Sequence, residues 1–145
     1  MTISSDVELI KLHEGCTLVA IRDTKGFSIG YGHDGAQEGD TCTQDEADAW
    51  FDADIATARL GAIAALGAAF WALLDPVRRA ALVDLAYEMG AAGLRGFHVM
   101  LACIRSSQWD AAAEAGLNSD WAKEVPTRAA MDMNILSSGQ WPVVG

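Results

Sequence analysis

The segment HEGCTLVAIRDTKGFSIGYGH, residues 13–33, carries two carboxylates, Glu14 and Asp23, with eight residues between them. The hydroxyl of Ser28 follows Asp23 at short range, and a glycine-rich stretch from Gly26 to Gly32 closes the segment. This set suits cleavage of a glycosidic bond. One carboxylic acid protonates the leaving oxygen, and a second carboxylate supports the positive charge that grows on the sugar. Glu14 lies beside the apolar Leu12 and Leu18. A carboxyl drawn partly out of water has its pKa raised, because burial disfavours the charged form. A general acid working near neutral pH needs that shift. Asp23 sits in a polar turn with Arg22 and Lys25 and is expected to keep its charge, while Ser28 is placed to hold a water. Each residue alone also has a plain reading: a surface glutamate at a helix end, an aspartate serving a turn, a serine on a solvent-facing strand.

Other chemistries find less support. There is no G-x-S-x-G, and Ser28 lies between Phe27 and Ile29, so a serine nucleophile has no signature. His13, His33 and His98 form no H-E-x-x-H or other tight ligand set, which argues against a metal site. Gly30-x-Gly32 lacks the third glycine and the lysine of a phosphate loop. The five tryptophans, at 50, 71, 109, 121 and 141, could stack on sugars, but their helical spacing favours core packing.

The elements that must position these groups are legible from pattern. Val7, Leu9, Ile10 and Leu12 predict a helix capped by Ser4 or Ser5 and ending near Glu14-Gly15. Thr17 to Ile21 predicts a strand, Asp23-Thr24-Lys25-Gly26 a turn, and Phe27 to Tyr31 a returning strand. Glycines 30 and 32 weaken that strand and leave room for a ligand to approach. Asp34 to Thr43 reads as a polar loop. Thr43-Gln44-Asp45-Glu46 is a capping box, opening a helix predicted to reach about residue 60, where Gly61 and Gly67 weaken the pattern. Asp75-Pro76 starts a further helix, which Met89 to Gly93 breaks. Leu94 to Ile104 and Gln108 to Ala115 resume the helical pattern. Pro126 opens the last helix and Gly139 closes it. One helix, a small β-hairpin and five or six more helices make an α+β fold.

The chain has 145 residues, 51% of them hydrophobic, which suits one compact domain with a core of its own. No internal repeat or linker divides it. Cys16, Cys42 and Cys103 are odd in number, so reduced and mostly buried thiols are expected rather than a disulfide framework. Asp6, Glu8, Lys11 and Glu14 interrupt any apolar leader, so no signal peptide is read. The apolar stretch from Ala62 to Leu74 is too short to span a membrane. The formal net charge is -10, and Asp34 to Asp54 holds eight acidic residues with no Lys or Arg. Such a chain is a poor partner for nucleic acid or anionic membranes.

These residues resemble a known family. HEGCTLVAIRDTKGFSIGYGH is similar to the N-terminal signature of phage-type lysozymes, the endolysins of glycoside hydrolase family 24: a Glu, eight residues, an Asp, then a Thr in a hairpin ending in G-H. TQDEADAWFDADIATA resembles the family's second helix. VRRAALVDLAYEMGAAGLRGFHVMLACIRSSQWDAAAEA resembles its central helices, and VPTRAAMDMNILSSGQW its closing helix. The match is collinear over nearly the whole chain. It implies a lysozyme-like fold, with a hairpin lobe over about 15–60 and a helical lobe over about 61–145 packed with helix 1–13. It implies hydrolysis of the β-1,4 bond between N-acetylmuramic acid and N-acetylglucosamine in peptidoglycan. Glu14 would then be the general acid, Asp23 the second carboxylate, and Ser28 stands where the family usually has Thr. His33 and Asp54 match a structural His/Asp pair, Arg128 an arginine close to the catalytic Glu, and Tyr87 an aromatic cleft position. Gly30 would line the substrate path. No metal or other cofactor is implied. The partner is peptidoglycan glycan, the enzyme a monomer made in the host cytoplasm that reaches the wall through a holin or another export route. A wall-binding virion component of the same fold that does not cut glycan is the alternative.

Two departures bear on mechanism. Four residues separate Asp23 from Ser28, where the family typically has five, so the turn is shortened. Serine also lacks the methyl that restricts the threonine rotamer. Arg128 beside Glu14 lowers the pKa that burial raises, and the sequence leaves that balance open.

Wall polymers are anionic, so an acidic enzyme meets long-range repulsion. Its wall-lysis rate is expected to rise as salt increases from very low toward physiological, where the screening length falls to about 8 Å. Turbidity clearing of purified walls across a salt series checks this; a monotonic fall contradicts it.

Overall fold

The computed structural model describes residues 2–145. Helix α1, Asp6–Glu14, begins at Ser5, whose hydroxyl accepts the Glu8 N–H at 3.1 Å. It stops at Gly15, which takes φ 63° and so turns the chain sharply into the sheet. Strands β1 (Thr17–Asp23), β2 (Gly26–Gly30) and β3 (His33–Ala36) form one antiparallel sheet in that order. Seven helices follow: α2 (Gln44–Leu66), α3 (Ala68–Leu73), α4 (Pro76–Arg95), α5 (His98–Arg105), α6 (Trp109–Leu117), α7 (Asp120–Glu124) and α8 (Pro126–Ser138). The architecture is α+β, a small sheet against a mostly helical remainder. Among the described residues, no helix is long and apolar enough to cross a membrane.

The expected hairpin is a three-stranded sheet, because His33–Ala36, whose last three residues read as the start of a polar loop, pairs with β2. These residues have weak strand preference, and an available edge on β2 supplies the partner. Helix α2 runs to Leu66, past the expected end near residue 60. Gly61 does not weaken it: a side chain there would meet the Ala91 Cβ at 3.1 Å, so the glycine admits close contact with α4. Tertiary packing outweighs local propensity at this position. The break expected at Met89 to Gly93 is a kink at Gly90 (φ 76°, ψ 169°), after which α4 resumes to Arg95. Leu94 therefore lies in the last turn of α4 instead of opening the next helix, which starts at His98.

Helix α2 joins the two parts of the molecule. Its buried residues Ala47, Phe51, Ile55, Ala58, Ala62 and Ala65 recur at three and four positions, one face of a helix. Its first turns pack on the sheet, where Ala47 and Trp50 close over Gly30. Its later turns enter the main core with Leu82, Leu85, Met100, Met133 and Leu136. A second apolar cluster, Ile3, Leu9, Ala80, Ala81 and Ile135, fixes α1 against α4 and α8. Trp121 is buried in the main core, whereas Trp50, Trp71, Trp109 and Trp141 sit at core margins. The cysteines depart from expectation: Cys16 is exposed, and Cys42 and Cys103 are only half-buried. Cys16 lies in the two-residue link between α1 and β1, beside Gln44 on the surface.

The capping box at α2 is complete: Glu46 N–H donates to the Thr43 hydroxyl at 3.1 Å, and Thr43 N–H to the Glu46 carboxylate at 3.0 Å. Thr43→Ala is expected to cost about 1 kcal/mol, a Tm drop of about 2–4 °C for a chain of this size, read by thermal denaturation.

Candidate active site

A cleft of about 760 Å³ opens between the sheet and the helices. Glu14 reaches it as the last residue of α1, and Asp23 as the last residue of β1. Side chains alternate across a strand, and directly paired residues share a face. Ile21 and Asp23 therefore point the same way, and Ser28, paired with Ile21, joins them. Thr17 and its partner Gly30 line the same cleft. The shortened turn is a two-residue link, Thr24-Lys25, with Asp23 paired to Gly26. The Asp23 Oδ1 accepts the Lys25 N–H at 2.9 Å, and Asp23 is exposed. Ser28 is nearly buried, at 7% exposure, on the cleft wall.

Glu14 has a different setting. Its side chain is 17% exposed, and its Oε1 accepts a hydrogen bond from Arg128 Nη1 at 2.9 Å. Gly32, at φ 73°, leaves the space into which the carboxyl fits; a side chain there would meet Oε2 at 2.5 Å. The room expected for a ligand at Gly32 is thus filled from within by the acid itself, and that at Gly30 by Ala47. Burial pushes the Glu14 carboxyl above its ordinary range, while the charge and hydrogen bond of Arg128 pull it down and Asp84 and Glu88 add to the rise. Burial prevails, which answers the balance left open by the sequence.

Arg128 stands in the first turn of α8 and spreads its donors over α1 and α4. Its Nη2 bonds Asp84 Oδ1 at 2.7 Å, its Nε bonds Asp84 Oδ2 at 3.1 Å, and Glu88 Oε2 lies 3.5 Å from Nε. Burial works against its charge, yet the hydrogen bonds and charges of Asp84, Glu14 and Glu88 hold it firmly protonated. Trp121 Nε1 donates to Glu88 at 2.7 Å, tying α7 to the same group. His33 Nδ1 meets Asp54 Oδ2 at 2.7 Å, with the imidazole stacked on Trp50 at 4.8 Å, so β3 is pinned to α2. Tyr87 lines the cleft and donates its hydroxyl to the Tyr31 carbonyl at 2.5 Å, joining α4 to the sheet. Its hydroxyl is pushed above the normal phenol range, first by burial and then by Asp54 and Glu14.

Sequence reasoning did not reach Asp84, Glu88, Asp132 or the inner role of His13. Asp84 and Asp132 have no exposure. Their one legible signal is a lone acid within an apolar run, as in Leu82-Val83-Asp84-Leu85. No chain spacing suggested a ligand set, yet His13, Asp84 and Asp132 bring side-chain donor atoms within 4.8 Å of one another.

The chain that builds this cleft has relatives among known proteins. The phage lysozyme family model matches residues 11–130, and the chain belongs to that family. It is 25% identical to a probable T4-type lysozyme 1 of Dictyostelium discoideum, over 94% of this chain and 96% of that protein. It is 27% identical to the pre-baseplate central spike protein Gp5 of Enterobacteria phage T4, over 93% of this chain but only 28% of that protein. A lysozyme-like peptidoglycan hydrolase is the class these likenesses define.

The fit of Glu14 over Gly32 yields a test. Gly32→Ala is expected to displace the carboxyl and lower kcat about 100-fold, since a 1 Å error in a reacting group costs about that much. Release of reducing ends from peptidoglycan by the folded variant checks it.

Proposed function

We propose that this chain is an N-acetylmuramidase that hydrolyses the β-1,4 bond between N-acetylmuramic acid and N-acetylglucosamine. The observation that carries this reading is Glu14: a carboxyl raised by burial at the edge of a cleft that also holds an exposed Asp23. Glu14 protonates the glycosidic oxygen as the bond to the leaving sugar breaks. Asp23 supports the oxocarbenium-like charge left on the other sugar. Ser28, two residues past the Gly26 that pairs with Asp23, orients the water that completes hydrolysis. Tyr87 and Gly30 line the substrate path, and Arg128, His33 and Asp54 hold the frame around it. Proton transfer and charge support of this kind use side chains alone, with no cofactor.

The reading extends to biology. The chain acts as a monomeric endolysin, made in a host cytoplasm and released to the wall through a holin or another route. Likeness to the spike protein Gp5 favours a second reading, a virion-associated wall protein. Presence or absence of the chain in purified particles separates these two roles.

Because the Glu14 carboxyl is raised, its acid form persists above the ordinary glutamate range, and the alkaline limb of activity should lie there too. Glu14→Gln is expected to cut reducing-end release from purified peptidoglycan by at least about 100-fold with the fold intact by circular dichroism. Asp23→Ala should cost less. Undiminished release by purified Glu14→Gln rejects the assignment.

A further inference from the structure

Arg128 raises a question of charge. It touches three carboxylates, Glu14, Asp84 and Glu88. Packed in the core beside Asp84 lie Asp132 and His13, with His13 Nε2 at 3.5 Å from Asp132 Oδ1 and 3.8 Å from Asp84 Oδ2. With every acid ionised, four carboxylates would share one guanidinium in a largely dry setting. Charges so placed are costly unless paired. Ionised Asp132 would also leave both of its oxygens without a donor.

One proton on Asp132 removes one of these charges and turns one of its two orphaned oxygens into a donor. Asp132 then becomes a hydrogen-bond donor, and Asp84 is the neighbour that accepts from it. Burial, followed by the charge of Asp84, pushes the Asp132 carboxyl well above its usual range. His13 is driven the other way, chiefly by burial, and stays neutral. The buried Asp84/Asp132 pair then carries one negative charge against the one positive charge of Arg128. Glu14 consequently faces an Arg128 already held by Asp84, with Glu88 at 3.5 Å, instead of a bare cation.

We propose that Asp84 is a positioning residue for the general acid: its two hydrogen bonds take up the charge of Arg128, with Asp132 packed behind it as a neutral partner, so that Glu14 can serve as a proton donor beside an arginine. This rests on Glu14 being the acid. The groups around Glu14 are consistent with it. From α4 come Asp84, Tyr87 and Glu88, from α8 Arg128, and from α1 itself His13; Asp23 and Asp34 of the sheet line the same cleft. Among the described residues, Arg128 is the one cation hydrogen-bonded to Glu14, so what screens Arg128 governs the acid. His13, Asp84 and Asp132 are also close enough to hold a metal ion. However, both Asp84 oxygens already accept from Arg128, which sets a positive charge beside any ion placed there.

Carbon-13 NMR of protein labelled at Asp and Glu carboxyls tests this without relying on catalysis. The Glu14 signal is the one missing from Glu14→Gln, and the Asp132 signal the one missing from Asp132→Asn. In Asp84→Asn, Glu14 is expected to titrate at least about one pH unit lower, as a carboxyl beside an uncompensated Arg does. In Asp132→Asn, whose amide keeps a neutral donor, Glu14 should titrate as in the wild type. In the wild type, the Asp132 signal should be that of a protonated acid at pH 7. An unmoved Glu14 in folded Asp84→Asn overturns the proposal. So does an ionised Asp132, which decides the matter if Asp84→Asn fails to fold, or stoichiometric zinc binding that displaces the Asp132 proton. If Glu14 shifts and the alkaline limb of hydrolysis shifts with it, both this inference and the catalytic reading stand. If Glu14 shifts and the limb does not, the inference stands and Glu14 is rejected as the acid.

Discussion

One guanidinium orders the working end of this molecule. Arg128 ties the C-terminus of α1 to the middle of α4 from the first turn of α8. Its value is chiefly geometric. Ions withdrawn from water lose roughly as much in solvation as they gain in attraction, so such a cluster adds little net stability. A planar fork, however, fixes carboxylates in direction as well as distance. Glu14 is held from one side by that fork and from the other by the bare backbone of Gly32. Two separate parts of the fold therefore agree on where one carboxyl sits.

The rest of the architecture serves that agreement. Helix α2, with 23 residues, is about 34 Å long at 1.5 Å per residue. It is anchored in the sheet by Ala47 and Trp50 and in the helical core by Ala58, Ala62 and Leu66. His33–Asp54 and Tyr87–Tyr31 add polar ties across the same seam. The sheet could not hold its place alone, since it has only three short strands and its first strand leaves Leu18, Val19 and Ile21 exposed. It depends on what lies behind it.

Much of this was legible in the chain. Capping signals at Ser5, Thr43 and Asp75, proline at 76 and 126, and glycine at 15 and 139 mark helix ends because each acts locally, through φ or a single hydrogen bond. That Asp23 and Ser28 share a face was legible because strand alternation and a short turn convert spacing into facing, and Glu14 joins them on the cleft from the end of α1. What stayed hidden depends on distant partners. Gly61 reads as weakening the helix until Ala91 is beside it, and Asp34 to Ala36 reads as loop until β2 offers an edge. Asp84 and Asp132 lie 48 residues apart in the chain, on different helices, and nothing in either neighbourhood announces the other.

Glu14 and Asp23, both on the cleft, are owned very differently. Glu14 is woven into four helices, α1 directly and α4, α7 and α8 through Arg128, Glu88 and Trp121. Asp23 hangs at a two-residue bend with a single backbone tie. The bend can thus lengthen or shorten without disturbing the core, whereas Glu14 cannot shift without straining its bond to Arg128 and the fit over Gly32. The loosely held half is the part open to invention.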